Sequence, residues 1–207
     1  MSSRKIRYTT FLVCLGLVAT YSIPAQEVIR SPLVFSIEKP KGWISTTDEK
    51  KAESLKNLDL SDDALDALLK SRNNAVEVLT LQKYRTEDRE GPIPTIQVRM
   101  RPDPIPDFDT FMAAFLRSID PSKSPLQNYK IVSQESTTIG GFKTVKVLTS
   151  YSIGSYSLQA LTYVIPVGKQ YFQATFIDKP RSENNAALYE RIAKTISIDT
   201  SSRKKSQ

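Results

Sequence analysis

The chain has 207 residues, 40% of them hydrophobic and 25% charged, with 29 Lys and Arg against 22 Asp and Glu. Such a composition belongs to one globular domain and excludes a disordered, collagenous or multi-span membrane chain. His is absent and Cys14, in an N-terminal apolar run, is the one cysteine, which removes His or Cys zinc sites, iron–sulfur clusters, disulfides within the chain, cysteine nucleophiles and Ser-His-acid triads.

Arg4, Lys5 and Arg7 precede an apolar stretch from Phe11 to Ile23, and small residues stand at Ser22 and Ala25. This is the order of a secretory signal peptide, and the stretch, about thirteen residues long, is shorter than the roughly 20 that span a membrane. The expected organisation is a signal peptide over 1–25, cleaved after Ala25, an N-terminal segment over 26–32, a single domain over 33–199 and a disordered basic tail over 200–207. An uncleaved anchor is the alternative. Phe11-Leu12-Val13 precedes Cys14, where a lipoprotein would carry a small residue, so lipid attachment is not expected. The expected location is the periplasm or the exterior, with no membrane span after cleavage. Removing residues 1–25 takes away three cations and no anion, so the net charge falls from +7 to +4, and Arg203, Lys204 and Lys205 hold three of those charges. The body is nearly neutral, which argues against a nucleic-acid partner.

Along the mature chain, Leu33, Phe35 and Ile37 share one side of a strand, and Pro40-Lys41-Gly42-Trp43 reads as a turn before Ile44 resumes extended chain, together a hairpin. From Thr47 to Asn73 the composition favours helix, with Leu65, Leu68 and Leu69 at helical spacing behind Ser61 as N-cap and Asp62 and Asp63 in the first turn. Ala75–Arg85 and Thr95–Arg101 read as neighbouring antiparallel strands. Asp107 caps a helix in which Phe108, Phe111, Met112, Phe115, Leu116 and Ile119 form one broad apolar face, ended by Asp120-Pro121. Tyr129–Ser133, Phe142–Tyr151, Ser157–Val167 and Gln170–Ile177 follow as a meander punctuated by Gly140-Gly141, Gly154 and Gly168. A last helix after Pro180 stacks Leu188, Ile192 and Ile196, with Tyr189 and Ala193 beside them. The expected fold class is α+β, an antiparallel sheet sandwiched by helices.

The Phe35-Ser36-Ile37 strand, the Pro40-Lys41-Gly42-Trp43 turn, the amphipathic helix around Phe111, the Ile139-Gly140-Gly141 turn before a long strand and the closing Ile192 and Ile196 helix resemble, in that order, the PsbP-like family. The resemblance runs from Leu33 to Ile198. It implies an antiparallel sheet between helix layers and a binding or assembly role, since that family includes photosystem extrinsic subunits, bacterial envelope proteins and secretion chaperones. It brings no shared catalytic residues, and the charged stretch 47–73 falls in the family's most variable region.

Candidate chemistry is sparse. Asp59, Ser61 and Asp63 have calcium-loop spacing, but Ala64 replaces the turn glycine and Lys70 the final Glu, so helix capping is the better reading. No acidic residue stands in an apolar run that would bury it, and no glycine pattern cradles phosphates. No cofactor is expected. Lys83 and Arg85 share one strand face and Arg99 and Arg101 another; in an aligned register they would form a basic stripe for an anionic lipid, a glycan or an acidic partner. Their alternative is a solvated edge with Glu87, Asp88 and Glu90 as counterions. Trp43 is a further candidate contact, or core packing. Tyr151, Tyr156, Tyr163 and Tyr171 alternate with polar residues as on a half-exposed sheet face or a groove floor. The sequence thus points to a periplasmic or secreted, non-catalytic binding module whose partner is an envelope protein or an anionic or lipid ligand. A carrier with an apolar cavity under Phe108, Phe111 and Phe115 is the alternative, and a hydrolase without His or Cys a third.

Overall fold

Alternating apolar and polar residues build most of the chain, as β5 illustrates: Ile96, Val98 and Met100 are 0% exposed, while Thr95, Gln97, Arg99 and Arg101 between them point to the other face. The computed structural model describes residues 27–31, 33–46, 75–102, 107–180 and 185–200. Their elements in chain order are β1 (Val28–Arg30), β2 (Phe35–Glu38), β3 (Ile44–Ser45), β4 (Val76–Gln82), β5 (Thr95–Pro102), α1 (Phe108–Ser118), β6 (Gln127–Ile139), β7 (Phe142–Ile153), β8 (Tyr156–Val167), β9 (Gln170–Asp178), α2 (Ala186–Ala193) and β10 (Ser197–Ile198).

Seven strands form one antiparallel sheet in the order β3-β4-β5-β9-β8-β7-β6, and β1-β2-β10 form a small second one. The small sheet and α2 cover one face of the large sheet. There Leu33, Phe35 and Ile37, with Tyr189, Ile192, Ala193 and Ile196, join Phe172, Ala174 and Phe176 of β9 in the main core, and the rings of Phe35 and Phe172 lie 5.4 Å apart. The opposite face carries α1, whose Phe111 packs on Val145, Val147 and Val164. Asp107 caps α1 through a 2.7 Å bond accepted from the Thr110 amide. This is the α+β sandwich expected from the sequence.

The hairpin at the start of the chain is not formed. The turn exists, with the Trp43 amide donating to the Pro40 carbonyl at 3.1 Å and Gly42 at φ +79°, a conformation open to glycine. However, β2 pairs with β1 and β10 while β3 pairs with β4, so the turn passes the chain from one sheet to the other. Alternation places side chains on faces and leaves the pairing partner open. Val28–Arg30, expected as part of an N-terminal segment, joins the small sheet, as does Ser197–Ile198; strands of three and two residues are too short to show a period. The last helix ends at Ala193, so Ile196 reaches the core from the turn that follows it. That turn meets the β6–β7 turn: Gly140 has φ +56°, and a Cβ there would stand 3.1 Å from the Ile196 carbonyl oxygen. The predicted helix within 47–73, the Asp59, Ser61 and Asp63 spacing, the signal segment 1–25 and the tail beyond Thr200 lie outside the described residues.

Candidate functional site

A cleft of about 440 Å³ lies between α2 and the β6–β9 meander. Strand register builds its floor in rows. Leu148 of β7 stands opposite Leu161 of β8, which stands opposite Phe176 of β9, an apolar row across three strands. One row on, Ser150, Gln159 and Asp178 align; one row back, Glu135, Lys146, Tyr163 and Ala174 align. The wall is Asn185, Ala186, Tyr189 and Glu190.

At one end Asp178, 8% exposed, accepts hydrogen bonds from the Lys179 amide at 2.7 Å, the Tyr189 hydroxyl at 3.2 Å and the Asn185 carboxamide. A buried carboxylate is costly unless bonded in this way. The bonds also fix the wall, because the Asn185 amide is spent on Asp178 and leaves the first turn of α2 without a side-chain cap. At the other end the Lys146 ammonium lies 2.8 Å from Glu135 and 2.7 Å from Glu190. Hydrogen bonds to the two carboxylates hold Lys146 well above its usual range, and the same ammonium draws Glu190 below its own. Burial pushes the neighbouring Tyr163 phenol up to about 12.

The cleft therefore offers an apolar floor with hydrogen-bonding groups at both ends and an ion cluster closed on itself. Of its ionisable residues only Tyr163, expected on a half-exposed face or groove floor, is singled out from the sequence as a candidate. The expectation that no acidic residue is buried is overturned by Asp178, and the signal was in the sequence: Asp178 has the parity of Phe172, Ala174 and Phe176 along β9, and so faces the core with them. Nothing local announces Lys146, Glu135 and Glu190, which come from three elements.

The basic stripe is not assembled. β4 ends at Gln82, opposite Thr95, and Lys83 and Arg85 lie on the β4–β5 loop, where the ammonium of Lys83 stands 5.7 Å from the Tyr84 ring. Arg99 and Arg101 are four and six residues beyond Thr95, roughly 13 to 20 Å further along the strand. In an antiparallel pair, residues before the turn face those just after it, so the two basic pairs sit at opposite ends. Trp43 is 3% exposed and meets Tyr189 edge-on at 6.2 Å, behind the cleft wall. The four tyrosines do not share a face: Tyr163 faces the cleft side, Tyr151 and Tyr171 face the α1 side, and Tyr156 is exposed beneath the Lys179 ammonium. Phe108, Phe111 and Phe115 cluster with the sheet valines, and the cleft lies on the opposite face.

In backbone arrangement the chain is similar to the cyanobacterial PsbP protein (CyanoP) from Synechocystis sp. PCC 6803, with a TM-score of 0.54 at 10% identity over 89% of this chain and 99% of that one. LpqN of Mycobacterium tuberculosis, described as involved in cell envelope biogenesis, aligns with a TM-score of 0.48 at 14% identity over 79% and 82% of the two chains. The Ran-binding protein Mog1p of Saccharomyces cerevisiae aligns with 0.44 at 10% identity over 86% and 99%. No family model and no curated protein matches the sequence. The CyanoP likeness establishes a PsbP-like α+β fold.

Proposed function

We propose that the chain is a non-catalytic binding module of the cell envelope, exported by its N-terminal segment, that holds its partner in the cleft between α2 and the meander. The observation that carries this reading is the Leu148, Leu161 and Phe176 row flanked by polar groups already bonded to one another. An apolar floor with a few fixed polar groups is the make-up of a recognition site. A hydrolytic reading fits less well. Ser133 and Lys146 both line the cleft, but a Ser-Lys pair needs a lysine that can shed its proton, and two carboxylates hold Lys146 protonated. The carrier reading draws on the cleft volume, which suits a small amphipathic ligand, and it moves the expected cavity from beneath α1 to the α2 side.

A photo-crosslinking amino acid at Gln159, inside the cleft, and another at Lys41, exposed on the turn before β3, test the partner site. Crosslinking in envelope extracts is expected from position 159 and not from 41; equal products from both, or none from either, would overturn the cleft as the contact. N-terminal sequencing of extracytoplasmic protein should begin near Gln26, and a full-length chain found only in the cytosol would overturn export.

A further inference from the structure

We propose that Arg99 and Arg101 form a binding site for a phosphate group, on the sheet face that carries α1 and therefore away from the cleft. The parity of β5 sends Ile96, Val98 and Met100 into the core and turns both arginines to the α1 side. Two positions apart on one strand face, their Cα atoms are separated by roughly 7 Å. Two guanidinium forks at that spacing can converge on one tetrahedral oxyanion. Register places Gln173 beside Arg99 and Tyr171 beside Arg101 on β9, with Gln97 one step along β5, so carboxamide donors flank the forks.

The charge balance points to an anion. Both arginines are half-buried, and the Nε of Arg101 is buried with no hydrogen-bond partner. Among the described residues neither arginine belongs to an ion pair, in contrast to Lys39, 2.6 Å from Glu27, and Lys146 with its two carboxylates. Glu77 faces Arg99 across the ladder, but its Oε1 accepts the Thr80 hydroxyl at 2.8 Å, so among the described residues one cross-strand carboxylate stands against two guanidiniums. A buried donor on a fixed cation is costly unless something accepts from it. A phosphate oxyanion suits the planar fork, which can bind it through paired, charge-assisted bonds. From Arg101 the face turns apolar through its cross-strand neighbour Tyr171, whose ring lies 5.3 Å from that of Phe111, in the cluster where Met112 and Leu116 of α1 are half-buried. The phosphate could therefore come from a lipid headgroup or from a soluble ester.

The test titrates the full chain with inorganic phosphate, following the side-chain Nε–H signal of Arg101 by NMR and the melting temperature, and then assays flotation with phosphatidylglycerol and with phosphatidylcholine vesicles. The expected result is saturable binding that shifts the Arg101 signal and raises the melting temperature. R99Q/R101Q should weaken phosphate binding at least tenfold. R30Q/K41Q, which removes two charges from exposed positions elsewhere, should change it less than twofold. Flotation with phosphatidylglycerol alone, lost in R99Q/R101Q, assigns a lipid headgroup; phosphate binding without flotation assigns a soluble phosphate ester. No saturable phosphate binding, or equal weakening in both double variants, overturns the site. Should R99Q/R101Q fail to fold, R101K keeps the charge and loses the fork. A several-fold loss of phosphate affinity at an unchanged melting temperature then supports the site, and undiminished affinity overturns it.

Discussion

Lys146 is the residue on which the cleft's charge arrangement turns. It emerges from the middle of β7, meets Glu135 from the edge strand β6 and Glu190 from α2, and so ties the meander to the helix. Glu190 is held below its usual carboxylate range chiefly by its hydrogen bond to Lys146. A group whose pKa falls on folding contributes stability above its unfolded value, and that contribution disappears as pH drops through the folded value. The contribution of the pair should therefore be complete above about pH 5 and lost in stronger acid. Melting temperatures of the native chain and of Lys146→Gln, measured from neutral to acidic pH, should converge as pH falls, because protonated Glu190 no longer distinguishes them. Curves that stay parallel into strong acid would show that the pair contributes nothing to folding. Because Glu190 is half exposed, the difference is expected to be modest and to shrink with salt.

Among the elements, α1 shows how a periodic pattern becomes a packed layer. Five of the six expected apolar residues lie in the helix and Ile119 follows as its C-cap, but only Phe111, 5% exposed, is buried; the others are half-buried around it against the sheet. The energetic weight should be just as uneven. Phe111→Ala removes a ring packed on Val145, Val147 and Val164 and is expected to cost about 3 to 5 kcal/mol in denaturant unfolding. Phe108→Ala, at a half-buried position over which the Lys143 ammonium stands at 5.6 Å, should cost clearly less. A loss below about 1 kcal/mol for Phe111→Ala would mean that the helix is held by other contacts and that its face is free to serve a ligand.

The molecule as a whole depends on a main core shared by two sheets. Residues from β2, the Trp43 turn, α2 and the segment leading into β10 interlock with β4, β5, β8 and β9, so the small sheet has no core without the large one, and the large sheet without it keeps only the smaller cluster under α1. Cooperative, all-or-none unfolding follows. Trp43, the one tryptophan in the chain, sits where β2 hands over to β3 and touches Tyr189 of α2, and thus its fluorescence reports on the smaller layer. Far-UV circular dichroism averages over all secondary structure, of which the large sheet holds the most among the described residues. Denaturation followed by both probes should give coincident midpoints; a tryptophan transition at lower denaturant would show the small sheet and α2 peeling away as a separate unit.

Much of this architecture is legible in the residue order. The fold class, the β4–β5 pair, the meander, the Asp107 cap and the burial of Leu33, Phe35 and Ile37 all follow from local periods, turn residues and capping chemistry, which act between residues close along the chain. Pairing and convergence are different, because they are decided by which distant segments bury apolar surface together. Only the assembled sheets separate β2 from β3, recruit Val28–Arg30 and Ser197–Ile198 as strands, and part Lys83 and Arg85 from Arg99 and Arg101 by the length of a strand. The cleft belongs to the same class: Asp178 could be placed on the core face by parity along β9, yet its bonds to Asn185 and Tyr189, and the meeting of Lys146 with Glu135 and Glu190, exist only because α2 folds back over the meander. Local chemistry along the chain sets which face each residue takes, and long-range burial sets which faces meet.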